Sequence, residues 1–130
     1  MATVQSKEKI LNDEIMKFKS LQKEVQKCAS SKGQLEAQLL ENQNVKDELE
    51  KVTDGSVVYK LVGPVLLKQD LTEAKVTVQK RLDYIGKEIS RYEDVIKDFE
   101  KKQDTQAEKL QKMQVDYQQA VAKAAGPNQP

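Results

Sequence analysis

At 130 residues the chain is long enough for one ordinary domain, yet 33% of it is charged, aromatics make up 5% and there is no Trp. That composition excludes an ordinary globular core and leaves disorder or an elongated helical protein, which apolar periodicity separates. Lys and Arg number 22 against 21 Asp and Glu, interleaved throughout, which excludes the clustered cationic surplus of a nucleic-acid binder.

The N-terminus, MATVQSKEK, lacks the apolar core of a signal peptide, and no apolar run approaches the ~20 residues that span a bilayer. The expectation is a cytoplasmic protein with no membrane contact. Residues 1–53 carry a heptad stripe in which Val4, Leu11, Phe18, Val25 and Leu39 recur every seventh residue, with Lys32 and Lys46 interrupting. Leu21, Cys28, Leu35 and Leu49 supply the partner positions, with Glu14 and Asn42 polar. This spacing predicts a coiled-coil helix. After Asn42 the apolar residues are Val45, Leu49 and Val52, which predicts a three-residue slip of the stripe, a stammer. The SSKG stretch, Ser30 to Gly33, marks either a bend or local softness, because Gly costs on the order of 1 kcal/mol against Ala in a helix. Cys28 is the only Cys and His is absent, so a zinc site of about four N or S ligands, an imidazole base and an internal disulfide are all excluded. The helical spacing of Cys28 predicts a buried seam residue, with a reactive thiol as the alternative. Thr53-Asp54-Gly55 closes the helix, with Gly suited to the left-handed terminal position.

Residues 54–69 differ in kind. Ser56 to Val62 is β-branched and aromatic, with Val57, Tyr59 and Leu61 on one face and Val58, Lys60 and Val62 on the other. Gly63-Pro64 interrupts the run, and Val65-Leu66-Leu67-Lys68 resumes it. Two such runs around a Gly-containing turn predict a β-hairpin, with Gly63 supplying positive φ and Pro64 removing a donor the ladder does not need. The register is not fixed by sequence.

Residues 70–125 give the cleanest seam. From Leu71, steps of four and three land on Lys75, Val78, Leu82, Ile85, Ile89, Tyr92, Ile96, Phe99, Gln103, Gln106, Leu110, Met113, Tyr117, Ala120 and Ala124, of which only Lys75, Gln103 and Gln106 are polar. The prediction is a continuous coiled-coil helix. Asp70 with Glu73 three residues on makes a capping-box signature at its start. Gly126 and Pro127 make a stop signal, and residues 126–130 read as a disordered tail.

Two arms of nearly equal length, each with one apolar stripe, predict an antiparallel intramolecular coiled coil with the β-hairpin at its bend. Val4 then falls opposite Tyr117 to Ala120. A parallel dimer of two rods is the alternative, and the joint would interrupt it. An isolated two-stranded hairpin is marginal in water, and this one is apolar on both faces with two unpaired edges. The arms consume their stripes on each other, so strands of other chains are the shelter left. Burying each Val or Leu would contribute on the order of 1.5–3 kcal/mol. Val57, Val58, Tyr59, Leu61, Val62, Gly63, Pro64, Val65, Leu66 and Leu67 are therefore the expected assembly residues.

The run DGSVVYKLVGPVLLKQDLTEAKVTVQKRLDYIGKEISRYE, Asp54 to Glu93, resembles the β-type subunits of prefoldin, and QLEAQLLEN from Gln34 to Asn42 fits the same pattern. The resemblance covers essentially the whole chain. It implies one subunit of a heterohexamer of two α-type and four β-type chains, whose hairpins join into a double β-barrel from which six helical hairpins project. It further implies that the helix tips capture non-native proteins, notably actin and tubulin. Transfer to the cytosolic group II chaperonin follows, without nucleotide or other cofactor.

If the tips hold unfolded chains, the ends of the arms should carry apolar residues beyond those of the seam. Ile10, Ile15 and Met16 lie off the seam beside Val4 and Leu11, and Val115 and Val121 lie off it beside Met113 and Tyr117. These nine are the candidate client-binding residues. The competing expectation is that Ile10, Ile15 and Val121 widen the seam, as flanking positions do. Abundant carboxylates fall at helical i to i+4 spacing from Lys, so they are expected as solvated faces and no catalytic residue is assigned.

Overall fold

The computed structural model describes residues 3–53 and 55–126. Its element order is α1 (Val4–Glu50), β1 (Val58–Val62), β2 (Val65–Gln69) and α2 (Leu71–Ala125). Two long helices and one antiparallel hairpin make the chain mainly helical, as the periodicities predict. Asp54 and Pro127, expected in helix stops, and the rest of the tail expected to be disordered, residues 128–130, lie outside the described residues. The chain forms two compact units, one of residues 1–29 with 94–130, the other of residues 30–93.

Each helix starts where a side chain can take up free amides. Thr3 Oγ1 accepts the Ser6 N–H at 3.1 Å, and Asp70 Oδ2 accepts the Glu73 N–H at 3.2 Å, the half of the capping box that Asp70 supplies. The last turn of α1 tightens, with the Lys51 N–H donating to Glu48 O and the Val52 N–H to Leu49 O, before Gly55 takes a φ of 93°. At the other helix end, Gly126 adopts a φ of 78° and donates its N–H to Lys123 O at 3.1 Å.

In the unit of residues 30–93 the seam is tight. Ala74, Val78, Leu82 and Ile85 are buried along one face of α2. Ala74 takes the place expected of Lys75, which is exposed. Stepping three then four from Leu71 reaches Val78 as well as four then three does, and it lets a methyl enter while the ammonium stays in water. The stammer after Asn42 does not occur. Val45 is exposed, and Lys46 and Leu49 continue the regular stripe as half-buried residues. Lys can hold a seam position because its aliphatic stem covers apolar surface while its charge reaches out. Lys32 does the same, with its Nζ 3.5 Å from a Glu93 carboxylate oxygen across the pair and 3.6 Å from Glu36. Asn42 satisfies its amide by donating to Gln38 O at 2.8 Å. The helical hydrogen bonding of α1 continues through SSKG, and nothing lies within 4 Å of where a Gly33 Cβ would stand.

In the unit of residues 1–29 and 94–130 the pairing is looser. Among its described residues only Leu11 and Glu14 are buried, and the α2 positions Ile96, Phe99, Gln103, Gln106, Leu110, Met113, Tyr117 and Ala120 are half-buried. Val4 and Ala120 line one groove, the antiparallel juxtaposition expected. Ala124, the last seam position predicted, is exposed.

Candidate interaction surfaces

The hairpin comes first. Its strands pair Val58 with Gln69, Tyr59 with Lys68, Lys60 with Leu67, Leu61 with Leu66 and Val62 with Val65. This leaves Gly63-Pro64 as a two-residue loop. Gly63 has a φ of 58°, and positive φ at the first loop residue followed by the fixed negative φ of proline is the combination a type II′ turn needs. That turn matches the twist of the strands and fixes the register that composition alone left open.

Directly opposed residues share a face. Tyr59, Leu61 and Leu66 lie on one face with Lys68, and Val58, Val62, Val65 and Leu67 lie on the other with Lys60 and Gln69. Leu61 and Leu66 are 68% and 63% exposed, and Val57, Tyr59, Val62, Val65 and Leu67 are also exposed, with Val58 half-buried. Both faces are thus apolar and open to water, and the two-stranded sheet leaves an unpaired edge on each side. Single exposed apolar residues need no explanation, but this many on ten strand positions and the residue before them do.

The second surface is the open end of the unit of residues 1–29 and 94–130. Here the nine predicted residues separate. Ile10, Met16, Val115 and Val121 are exposed, Met16 at 65%. Val4, Ile15, Met113 and Tyr117 are half-buried in or beside the seam, and Leu11 is buried within it. At about 100° per residue, Ile10 and Val121 flank their seams while Met16 and Val115 lie on the backs of their helices. Four apolar side chains therefore stand free of the pairing.

By periodicity alone Glu14, Gln103 and Gln106 are polar interruptions of the seams. The structure makes a polar layer of two of them. Gln106 Nε2 donates to Glu14 O at 2.9 Å and also to the Glu14 carboxylate. Lys17 Nζ donates to Glu14 Oε1 at 3.1 Å, and Lys109 Nζ lies 3.3 Å from the same oxygen. Glu14 is 7% exposed, and its partners compensate its burial. The Gln106 and Lys17 hydrogen bonds favour the charged form against desolvation, with Lys109 adding to them, and lower its pKa from 4.5 to about 2. A carboxylate held below its unfolded value stabilises the fold above about pH 4.5, and that stabilisation drains away as pH falls toward 2. Glu14→Gln should therefore melt below the parent chain at neutral pH. Thermal melts between pH 7 and 2 should show the gap closing at the acid end.

No group of three or more His, Cys, Asp or Glu placed to hold a metal occurs among the described residues. No described helix is long and apolar enough to cross a membrane. Cys28 is a free, half-buried thiol at its seam position.

Comparisons with known proteins agree with this geometry. The chain is 48% identical over 119 residues to prefoldin subunit 6 of Homo sapiens, covering 92% of each chain. It is 48% identical over 120 residues to prefoldin subunit 6 of Mus musculus, covering 92% of this chain and 94% of that one. Among solved structures, the prefoldin beta subunit of Thermococcus strain KS-1 shares the fold with a TM-score of 0.54 at 23% identity, over 85% of this chain and 90% of that one. A family model described as "Prefoldin subunit" matches residues 12–117. That span takes in the open hairpin, the polar layer and most of both seams, and the chain belongs to the prefoldin family of chaperone subunits.

Proposed function

We propose that this chain joins two α-type and further β-type prefoldin subunits through its β-hairpin, forming a heterohexameric holdase of the cytoplasm. In this reading the helix ends hold non-native proteins, actin and tubulin among them, and hand them to the cytosolic group II chaperonin. Holding is weak at each end and gains strength from several tethered ends acting on one client, because tethering raises effective concentration. Release needs only a better-binding competitor, so the reading calls for no nucleotide, cofactor or catalytic residue.

The observation that carries it is the hairpin, with seven exposed apolar side chains on two faces and two free edges. A spacer or tether would have no use for such a surface. Strand addition from other chains would pair the edges and cover the faces together. The test is co-expression with α-type subunits and native mass measurement of the product. A heterohexamer, with the hairpin amides newly protected from hydrogen exchange, is the expected result. A soluble monomer whose hairpin amides exchange as fast with partners as without them would sink the reading.

A further inference from the structure

In the unit of residues 30–93, large apolar side chains are exposed on the helices as well as the hairpin, and they are not scattered. Leu40 and Val45 on α1 and Val76 and Tyr84 on α2 are exposed, whereas residues 30–39 and 85–93 expose none. Lys32 pairs with Glu93, so counting eight residues inward along each of the antiparallel helices brings Leu40 level with Ile85, the residue next to Tyr84. These residues form a collar on the part of the helix pair nearest the hairpin.

The two sides of this collar differ in charge. On one side Tyr84, 64% exposed, lines a groove with Lys80, Arg81, Gln38 and Asn42, and no carboxylate lines it. Neither Lys80 nor Arg81 forms an ion pair among the described residues. On the other side Leu40, 63% exposed, lines a groove with Glu36 and Asp83, and with Lys46 as its cation. Tyr and Arg one helical turn apart, desolvatable and unpaired, are the residue types that anchor protein interfaces.

The hairpin supplies the geometry that makes this difference matter. Its two free edges belong to different strands, so chains added at each edge meet unlike surfaces, a head-to-tail arrangement. Neighbours in such an arrangement press one side of a helix pair toward the opposite side of the next. We propose that the assembly contact extends from the hairpin onto the helix bases. There the Lys80, Arg81 and Tyr84 side receives an acidic, apolar helix base on a neighbouring prefoldin subunit, of the chemistry that Glu36, Leu40 and Asp83 display on this chain. The inference rests on the assembly reading above and assigns it a second contact surface.

Hydroxyl-radical labelling of the isolated chain and of the co-expressed complex tests the two separately. Labelling of both Tyr59 in the hairpin and Tyr84 on α2 should fall severalfold on assembly. Protection of Tyr59 with Tyr84 unchanged overturns the inference and leaves hairpin assembly standing, and no protection at either position overturns both. The Lys80→Glu/Arg81→Glu double variant gives an independent readout, since neither cation has an internal partner whose loss would unfold the chain. At low salt its complex should dissociate with a Kd raised about tenfold, the ratio that corresponds to about 1.4 kcal/mol. High salt should erase the difference, because screening removes the contribution of partly exposed charges. A complex of unaltered Kd at low salt refutes the charged contact.

Discussion

Leu61→Glu is expected to prevent assembly with partner subunits while leaving the helical content and melting of the isolated chain unchanged. In the chain alone Leu61 is already mostly in water, so its replacement removes only the cross-strand contact with Leu66, about 0.2–1 kcal/mol within the hairpin. In the assembly two larger effects act in the same direction. Burial of the leucine side chain, about 1.5–3 kcal/mol, is lost. A carboxylate without a partner must then enter the interior of a sheet packed by other chains, at several kcal/mol more. Together these exceed the ~1.4 kcal/mol per tenfold in Kd several times over, so the complex should vanish at micromolar concentration rather than weaken. Lys60→Glu is the control. Lys60 already carries charge on the opposite face, so reversing it changes sign without adding a buried polar group where none stood. Sizing by native mass decides the matter. A full-sized complex containing Leu61→Glu would mean that Leu61 remains in water after assembly, and the hairpin would no longer explain it.

Much of this architecture is legible in the order of residues, for identifiable reasons. The α2 seam is legible because Val78, Leu82, Ile85, Ile89 and their successors keep one spacing without competition from neighbouring apolar residues. The hairpin turn is legible because Gly63 and Pro64 each admit few backbone states, and the pairing of Val62 with Val65 follows once the loop is two residues long. Where two residues compete for one seam position, spacing misleads. Lys75 and Ala74 both fit the pattern, and side-chain size decided for Ala74. Val45 is apolar and Lys46 is not, yet the stripe follows Lys46 because a regular helix rotates Val45 away from its partner. The polar layer is harder still. Glu14 and Gln106 are 92 residues apart, and each alone reads as a defect in a stripe. Their meaning lies in the pairing, which helical periodicity within one arm does not encode. Tyr84 and Leu40 escape for a related reason: one exposed apolar residue on a charged helix is unremarkable until the opposite helix places another at its level.

The helix ends carry the second large prediction. Removing residues before Phe18 and after Leu110 should leave the assembled particle intact and abolish its suppression of client aggregation. The cuts lie within the unit of residues 1–29 and 94–130, whereas the hairpin and the tight seam at Ala74, Val78, Leu82 and Ile85 belong to the other unit. The trimmed chain loses Glu14 along with the apolar ends, however, so lost holding could reflect a loosened helix pair rather than missing client contacts. Replacing Ile10, Met16, Val115 and Val121 by Gln in the full-length chain separates these causes. All four are exposed, so the seam and the Glu14 layer keep every partner. Each such side chain contributes at most about 1.5–3 kcal/mol on a client, before the cost of ordering the client is subtracted. On the proposed reading one end is therefore a weak site, and several tethered ends multiply both the binding and the loss. Complexes carrying the fourfold variant should protect unfolded actin diluted from denaturant less well than the parent, by an amount approaching that of the trimmed complex. Full protection by the fourfold variant, with protection lost only on trimming, would move client contact off these four side chains and into the seam itself, where Leu11, Met113 and Tyr117 would have to separate from their partners to reach a client.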